Sequence, residues 1–141
     1  MAIFSKFTCF KTDLGLGLHN LNTDTLSAYL SNDAPAAGDT VYNGGATGPV
    51  DLTTKNGYTA GGMDITNVWA AGALTSADTI VWTGDADEDA LGIGPFRYAV
   101  LYNSTAAAKN LIGWWDYGST VTVMAGETFT VDYGASVLTI T

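Results

Sequence analysis

From Met63 onward, the chain consists of short runs rich in Val, Ile, Thr and aromatic residues, with turn residues between them. The runs are "MDITNVWAA", "DTIVWTG", "FRYAVLYN", "NLIGWWDYG", "TVTVMAG", "ETFTVDYG" and "SVLTIT". This composition is typical of β-strands. The gaps are too short for the crossover helices that parallel strands need, so we expect antiparallel pairing. The pattern predicts a mainly β fold, an antiparallel β-sandwich or a jelly-roll-like barrel.

The N-terminal part of the chain predicts one short helix followed by a strand. Apolar residues recur at spacings of three and four, at Phe4, Phe7, Phe10, Leu14 and Leu18. This spacing forms the apolar stripe of an amphipathic helix, which we place at about residues 3–18. The following run, "TLSAYLSN", alternates with a period of two and predicts a strand whose two leucines share a face with Ala28.

Residues 33–62 are rich in Gly, Ala, Asp, Thr and Pro and predict loops, with short strands around 40–42 and 50–53. The pairs Asn43-Gly44 and Asn56-Gly57 predict turns, because both residue types tolerate positive φ. The length is that of one domain, so we expect residues 1–141 to share a single core.

The charge balance restricts the partners of this chain. It has 14 acidic and five basic residues, which gives a net charge of -9. Such a chain is repelled by polyphosphate and by anionic lipid, so we expect neither a nucleic-acid nor a membrane partner. The N-terminus lacks the features of a signal peptide, and no run approaches the roughly 20 apolar residues of a membrane span. We expect a protein made in the cytoplasm that leaves it, if at all, without secretion, for example in a virion.

The sequence offers little to catalysis or to a cofactor. Cys9 and His19 are the only residues of their types, which excludes an intrachain disulfide and a zinc site built from several cysteines or histidines. There is no G-x-S-x-G motif, no complete dinucleotide-binding motif and no P-loop. We therefore predict a protein that is not an enzyme and binds no cofactor.

An acidic run provides the one candidate for metal binding. Asp85, Asp87 and Asp89 alternate as the first ligands of a calcium-binding EF-hand do. However, Ala90 stands where that loop needs glycine, and Phe96 where it needs glutamate. A solvated acidic loop is the favoured interpretation, with calcium binding as the alternative.

The adjacent tryptophans Trp114 and Trp115 indicate that one sheet is covered on both faces. Successive side chains of a strand point to opposite faces, so one indole can enter a core while the other faces away from it. Simple alternation places Ile112 with Trp114 and Tyr117 with Trp115. In the neighbouring run it places Phe96, Tyr98, Val100 and Tyr102 on one face and Arg97, Ala99, Leu101 and Asn103 on the other. A sheet with one face in water would alternate more cleanly between apolar and polar residues.

The second cover could be the N-terminal helix, the loop 33–62 or another copy of the chain. Aromatic residues and arginine are preferred anchors of protein interfaces. The candidates for a subunit interface are Trp114, Trp115, Tyr117, Arg97 and Leu101. Arg97 is also expected to hold a carboxylate, on the outer face of the sheet or across a subunit contact.

The same aromatic residues leave a function of another class open. Tryptophan and tyrosine side chains could form a platform for sugars, with Trp115 as the first residue to test, and residues beside Asp116 and Asp132 could line a sugar cleft. The chain would then be a carbohydrate-binding module or a small glycosidase. Aromatic residues are also ordinary core material of a small β-sandwich, which is the simpler interpretation.

Several segments resemble a family of small structural proteins encoded by tailed bacteriophages. They are "FSKFTCFKTDLGLGLHNLNTDTLSAYLSN", "NGYTAGG", "GPFRYAVLYN", "LIGWWDYG", "GETFTVDYG" and "VLTIT". The resemblance covers nearly the whole chain, is most specific over 94–141 and weakest over 66–93. It implies a virion component, which we interpret as a capsid decoration, or cement, protein.

Such a protein is implied to be a β-rich homo-oligomer, often a trimer, that binds the major capsid protein on the outer capsid surface and has no active site. A tail or tail-tip component is the alternative within the same setting.

Overall fold

The fold is mainly β, as the sequence predicts. The computed structural model describes residues 2–43 and 45–140, and 43% of the chain is strand and 6% helix. The sheets are antiparallel and the architecture is sandwich-like, with one short helix in the described part. Gly44 of the predicted Asn43-Gly44 turn and the two ends of the predicted domain 1–141 lie outside the described residues.

The elements follow one another in the order β1 (Ile3–Lys6), α1 (Thr8–Gly15), β2 (Leu26–Ser31), β3 (Met63–Asp64), β4 (Asn67–Ala70), β5 (Ala73–Ser76), β6 (Ile80–Thr83), β7 (Ile93–Asn103), β8 (Leu111–Val123), β9 (Thr128–Val131) and β10 (Leu138–Thr139). The central sheet has the strand order β1-β8-β7-β2-β3. Two smaller sheets have the orders β10-β5-β4 and β6-β9. No helix in the described part is long and apolar enough to span a membrane.

The predicted helix at residues 3–18 is wrong in its extent, because a strand occupies its first turn. β1 pairs with β8, and Phe4 lies opposite Trp115 with the ring centroids 4.8 Å apart. Gly113 makes this approach possible, since a Cβ there would lie 2.3 Å from the Phe4 ring. The phenylalanine spacing thus arises from a strand and a helix in succession, and pairing with β8 overrides the helical pattern.

Other strand boundaries also differ from the prediction. The runs "NLIGWWDYG" and "TVTVMAG" form the single strand β8, and β5 was not predicted. No strand covers 40–42 or 50–53; around 40–42 the structure has an isolated bridge between Val41 and Asn110. The Asn56-Gly57 turn is confirmed, with φ values of 53° and 93°.

The main core lies between the central sheet and the two smaller sheets. It includes Leu26, Ala28 and Leu30 of β2, which share a face as predicted. The smaller sheets contribute apolar residues from each of β5, β6, β9 and β10, among them Leu74, Trp82, Val131 and Leu138. Trp115 enters this core and is 2% exposed, which makes it the core-facing member of the tryptophan pair.

Two of the three register shifts between β7 and β8 change the predicted faces of these strands. Phe96 pairs with Val121 and Tyr98 with Asp116, so residues 117–120 bulge opposite Arg97. Phe96 consequently packs into the main core, and the prediction that it shares a face with Tyr98 is wrong. A second shift at Ile112 turns that side chain to the same core as Trp115, contrary to simple alternation.

The unequal burial of the two indoles predicts unequal effects on stability. Trp115→Ala should lower the free energy of unfolding by about 3–5 kcal/mol, because it leaves a cavity in the main core. Trp114→Ala should cost distinctly less, since its indole is only half-buried. Denaturant unfolding of both variants checks this difference, and equal losses would show that the assignment is wrong.

Candidate functional site

The second face of the central sheet is covered by the chain's own loop 33–62. Tyr29 and Tyr102 lie on this face, in an apolar cluster separate from the main core, so the prediction of a single core is wrong. Tyr42 of the loop stacks on Tyr102 with ring centroids 4.6 Å apart and meets Tyr29 edge-on at 5.0 Å. The Tyr29 hydroxyl donates to the carbonyl of Pro49 at 2.8 Å. Of the three covers that the sequence left open, the loop therefore supplies the main one.

Asp51 fastens this loop to the sheet. Its carboxylate accepts hydrogen bonds from the Tyr42 hydroxyl at 2.8 Å, from the Gly61 amide at 2.6 Å and from the Tyr58 hydroxyl. The Tyr58 oxygen in turn accepts from the amide of Leu30 in β2, at 3.0 Å. Burial raises the pKa of Asp51 above its usual value, although these donors oppose the shift. Every oxygen of this carboxylate has a structural partner, so Asp51 serves as an anchor.

A partly exposed patch remains around Trp114, at the edge of the central sheet. The Trp114 ring packs on Phe7 with centroids 4.5 Å apart, and half-buried Trp114 faces the second side of the sheet. A shallow cleft of about 470 Å³ lies beside it. We name the lining of this cleft the Trp114 surface; it consists of Ile3, Ser5, Pro35, Tyr98, Trp114, Asp116 and Gly118. Ile3 is 74% exposed on the edge strand β1, so the patch has an apolar rim that water covers in the free chain.

An ion pair borders the Trp114 surface. Arg97 donates from Nε to Oδ1 of Asp116 at 2.8 Å and from a terminal guanidinium nitrogen to Oδ2 at 3.0 Å. The guanidinium carbon also lies 5.4 Å from the centre of the Tyr98 ring. Hydrogen bonding from Arg97 lowers the pKa of Asp116 below its usual range, so the carboxylate is charged at neutral pH. The prediction that Arg97 holds a carboxylate is confirmed, and the pair lies within one chain.

Two of the five interface candidates are not available at the surface. Leu101 and Trp115 are 0% and 2% exposed in the main core, so assigning them to an interface was wrong. Tyr117 is half-buried and packs edge-on against Phe129 at 4.9 Å. Its buried hydroxyl has no hydrogen-bond partner among the described residues. Trp114, Arg97 and half-buried Tyr117 remain, and a sugar platform built on Trp115 is excluded by its burial.

The sequence did not point to the other members of the Trp114 surface. Ile3 and Ser5 were assigned to a helix, and their position beside Trp114 follows from the pairing of β1 with β8. Pro35 comes from the loop 33–62, whose path depends on anchors distant in sequence. Only the succession of two tryptophans signalled that this region has a second covered face.

The calcium candidates are not brought together as a cation site. Asp89 pairs with Lys55 at 3.1 Å and accepts from Asn56 Nδ2 at 2.6 Å. Asp85 accepts a hydrogen bond from the backbone amide of Asp87 at 3.1 Å. Residues 2–43 and 45–140 contain no group of three or more acidic, histidine or cysteine side chains that could hold a metal ion. Internal partners, chiefly Asn56, take the place that a cation would occupy at Asp89.

Cys9 and His19 are both held in structural positions. Burial, followed by the influence of Asp13, raises the pKa of the Cys9 thiol to about 11, which keeps it protonated at neutral pH. His19 is 6% exposed, and its Nδ1 lies 3.1 Å from Nδ2 of Asn103. Burial lowers the pKa of His19, so the imidazole is neutral at pH 7.

Comparison with known proteins gives no family assignment. No protein-family model matches the chain, and no solved structure matches it. A stretch of 67 residues is 39% identical to part of the dolichyl-diphosphooligosaccharide–protein glycosyltransferase subunit STT3A of Oryza sativa subsp. japonica. The match covers 46% of this chain and 8% of that protein. Because the chain spans less than a tenth of that relative's length, this similarity does not show membership of its family.

The ion pairs Arg97–Asp116 and Lys55–Asp89 predict that the pKa values of the two aspartates can be raised independently. Arg97→Gln should raise the pKa of Asp116 towards its usual value, because the guanidinium stabilises the charged form. Lys55→Gln is the matched control and should raise the pKa of Asp89 while leaving Asp116 unchanged. Carboxyl-detected NMR titration measures both groups.

Since the folded-state pKa of Asp116 lies below the usual 3.8, its pair supports the fold at neutral pH and loses this effect as pH falls through that folded value. An Asp116 that titrates normally in the parent protein would contradict the ion pair.

Proposed function

We propose that this protein is a non-enzymatic structural component of a tailed-bacteriophage virion. In this proposal it is a capsid decoration protein that forms homo-oligomers, most simply trimers, on the outer capsid surface and stabilises the shell. The proposal rests on the resemblance of its sequence segments and on the Trp114 surface.

The observation that carries the proposal is the composition and rigidity of the Trp114 surface. Tryptophan and arginine are preferred anchors of protein interfaces. Here Trp114 is fixed against Phe7, and Arg97 is fixed by two hydrogen bonds to Asp116. Because both anchors are ordered before binding, little side-chain entropy is lost on contact. We propose that this surface binds the major capsid protein.

Physical properties of the rest of the chain fit a shell protein. The net charge of -9 disfavours binding to packaged or host DNA, and we propose no nucleic-acid or membrane partner. An apolar cluster packs against each face of the central sheet, and this packing makes the sheet a stable platform for a surface contact. Many copies on one shell make weak single contacts collectively strong. The protein would be made in the host cytoplasm and leave with the virion.

Electron microscopy of virions labelled with antibodies against the purified protein tests this proposal. The expected result is label on the heads, at regular positions of the outer shell. Label confined to tails would replace the proposal by a tail or tail-tip role. Virions without any label would overturn a virion function altogether.

A variant of the Trp114 surface tests which residues make the contact. Trp114→Ala should weaken binding of the purified protein to capsids from which this protein is absent. We expect a loss of at least about fivefold, because truncation of an anchor costs more than about 1 kcal/mol. Val81→Ala is the control, since Val81 is also exposed but lies on β6 in a different sheet. Quantitative co-sedimentation measures both, and equal binding of the two variants would exclude the Trp114 surface.

A further inference from the structure

A second cleft, of about 520 Å³, lies between α1 and the C-terminal end of the described chain. We name it the lysine cleft; it is lined by Lys6, Phe10, Lys11, Leu14 and Ile140. Half-buried Leu14 and Ile140, which is 39% exposed, give the cleft an accessible apolar floor, to which Phe10, 1% exposed, adds almost no surface. The Lys6 ammonium donates to the carbonyl of Thr139 at 2.9 Å, which holds it at this site.

The lysine cleft holds two of the three lysines that form no ion pair in the part of the chain that the structure describes. The chain has five basic residues, of which two pair with carboxylates and one lies over an aromatic ring. The other two are Lys6 and Lys11, and neither forms an ion pair within residues 2–43 and 45–140. Two ammonium groups above an apolar floor suit a partner that presents two carboxylates beside an apolar side chain.

The acidic loop, residues 85–91, presents this combination at its surface. Asp87 and Glu88 are exposed, and Leu91 is 67% exposed. The loop has a fixed shape, because the side chain of buried Asn56 accepts from the amides of Glu88 and Asp89 and donates to the carbonyl of Gly92. The fixed loop therefore holds two carboxylates and one leucine outward at little cost in entropy.

We propose that the lysine cleft of one copy receives the acidic loop of a second copy. In this contact Asp87 and Glu88 pair with the two lysines of the cleft, and Leu91 meets its apolar floor. Charge complementarity favours a second copy of the chain as the partner, since each copy carries both the lysine cleft and the acidic loop. This contact rests on the proposed function, which includes a homo-oligomer. It identifies the subunit interface of that homo-oligomer.

The fold places the two surfaces too far apart for one chain to join them. Lys6 pairs with Gly113 at one end of β8. The acidic loop leads into β7, whose first residue, Ile93, pairs with Val123 at the other end of β8. The partners of these two β8 residues on β7, Leu101 and Ile93, are eight residues apart, which corresponds to roughly 25 Å at about 3.3 Å per residue. The contact must therefore join different copies head to tail. Heterologous contacts of this kind close into rings when their rotation permits, as in a trimer.

Charge reversal and charge exchange test the contact by light scattering coupled to size exclusion. Lys6→Glu with Lys11→Glu, and separately Asp87→Lys with Glu88→Lys, should each reduce the oligomer to the monomer mass of 14.7 kDa. One chain carrying all four changes should regain the oligomer, because the charges again complement each other. Circular dichroism confirms that each variant is folded, which is expected since all four side chains are exposed.

Matched controls separate this contact from a general effect of net charge. Asp87→Asn with Glu88→Gln should weaken the oligomer, whereas Ser119→Lys with Thr122→Lys changes the net charge equally at exposed positions of β8 and should not. Equal weakening by both pairs would overturn the contact. An oligomer that survives both reversals would also overturn it, yet leave the proposed function intact. A monomeric parent protein would overturn the contact, while the labelling of virions decides the proposed function independently.

Discussion

The pairing of β7 with β8 is the interaction on which the rest of the structure depends. These are the longest strands of the described chain, and both carry large apolar side chains on each face. Such a pair is stable in water only when both faces are covered. The smaller sheets cover the Trp115 face, and the loop 33–62 covers much of the Trp114 face. In its described residues the loop forms isolated bridges in place of strands, and side-chain anchors such as Tyr42 and Asp51 hold it against the sheet.

Electrostatic contacts in the chain are few and specific. Lys55 fixes the acidic loop, and Arg97 fixes Asp116 beside the Trp114 surface. Asp51 is the contrasting case, since tyrosine hydroxyls and a backbone amide, with no cation among these donors, hold its buried carboxylate. Lys109 lies over the Tyr42 ring, while Lys6 and Lys11 line one cleft without an ion pair in the described residues. In the proposals above, the Trp114 surface contacts the shell and the lysine cleft contacts the neighbouring subunit.

Local patterns in the sequence predicted most of the strands after Met63, strand β2 and the division of the two tryptophans. They could not predict β1, because Phe4 and Phe7 have a spacing that fits both a helix and a strand followed by a helix. Nor could they place Phe96 and Ile112, since an inserted residue in a bulge turns side chains to the other face. Glycine and proline inside a strand can mark a bulge. Gly118, with φ of 82°, lies in the larger bulge, and Gly94 and Pro95 precede Phe96.

Surfaces were less predictable than strands for a physical reason. The lysine cleft joins residues near both ends of the chain, and the Trp114 surface joins β1 and the loop 33–62 to β7 and β8. Such contacts depend on the complete topology, so no spacing in the sequence indicates them. Arg97 could be predicted to hold a carboxylate because a lone arginine in a strand of an acidic chain needs a partner, although the choice of Asp116 came from the register.

The central claim is that one chain covers both faces of its own sheet, and hydrogen exchange of the diluted monomer tests it most directly. The amides of Tyr42 and Leu52 in the loop donate to the carbonyls of Lys109 and Leu30, at 3.0 and 3.1 Å. The account predicts that both amides stay protected from exchange at dilutions where light scattering shows only monomer. Rapid exchange of both, while the amides of β7 and β8 remain protected, would contradict it and show that the second face needs another copy of the chain.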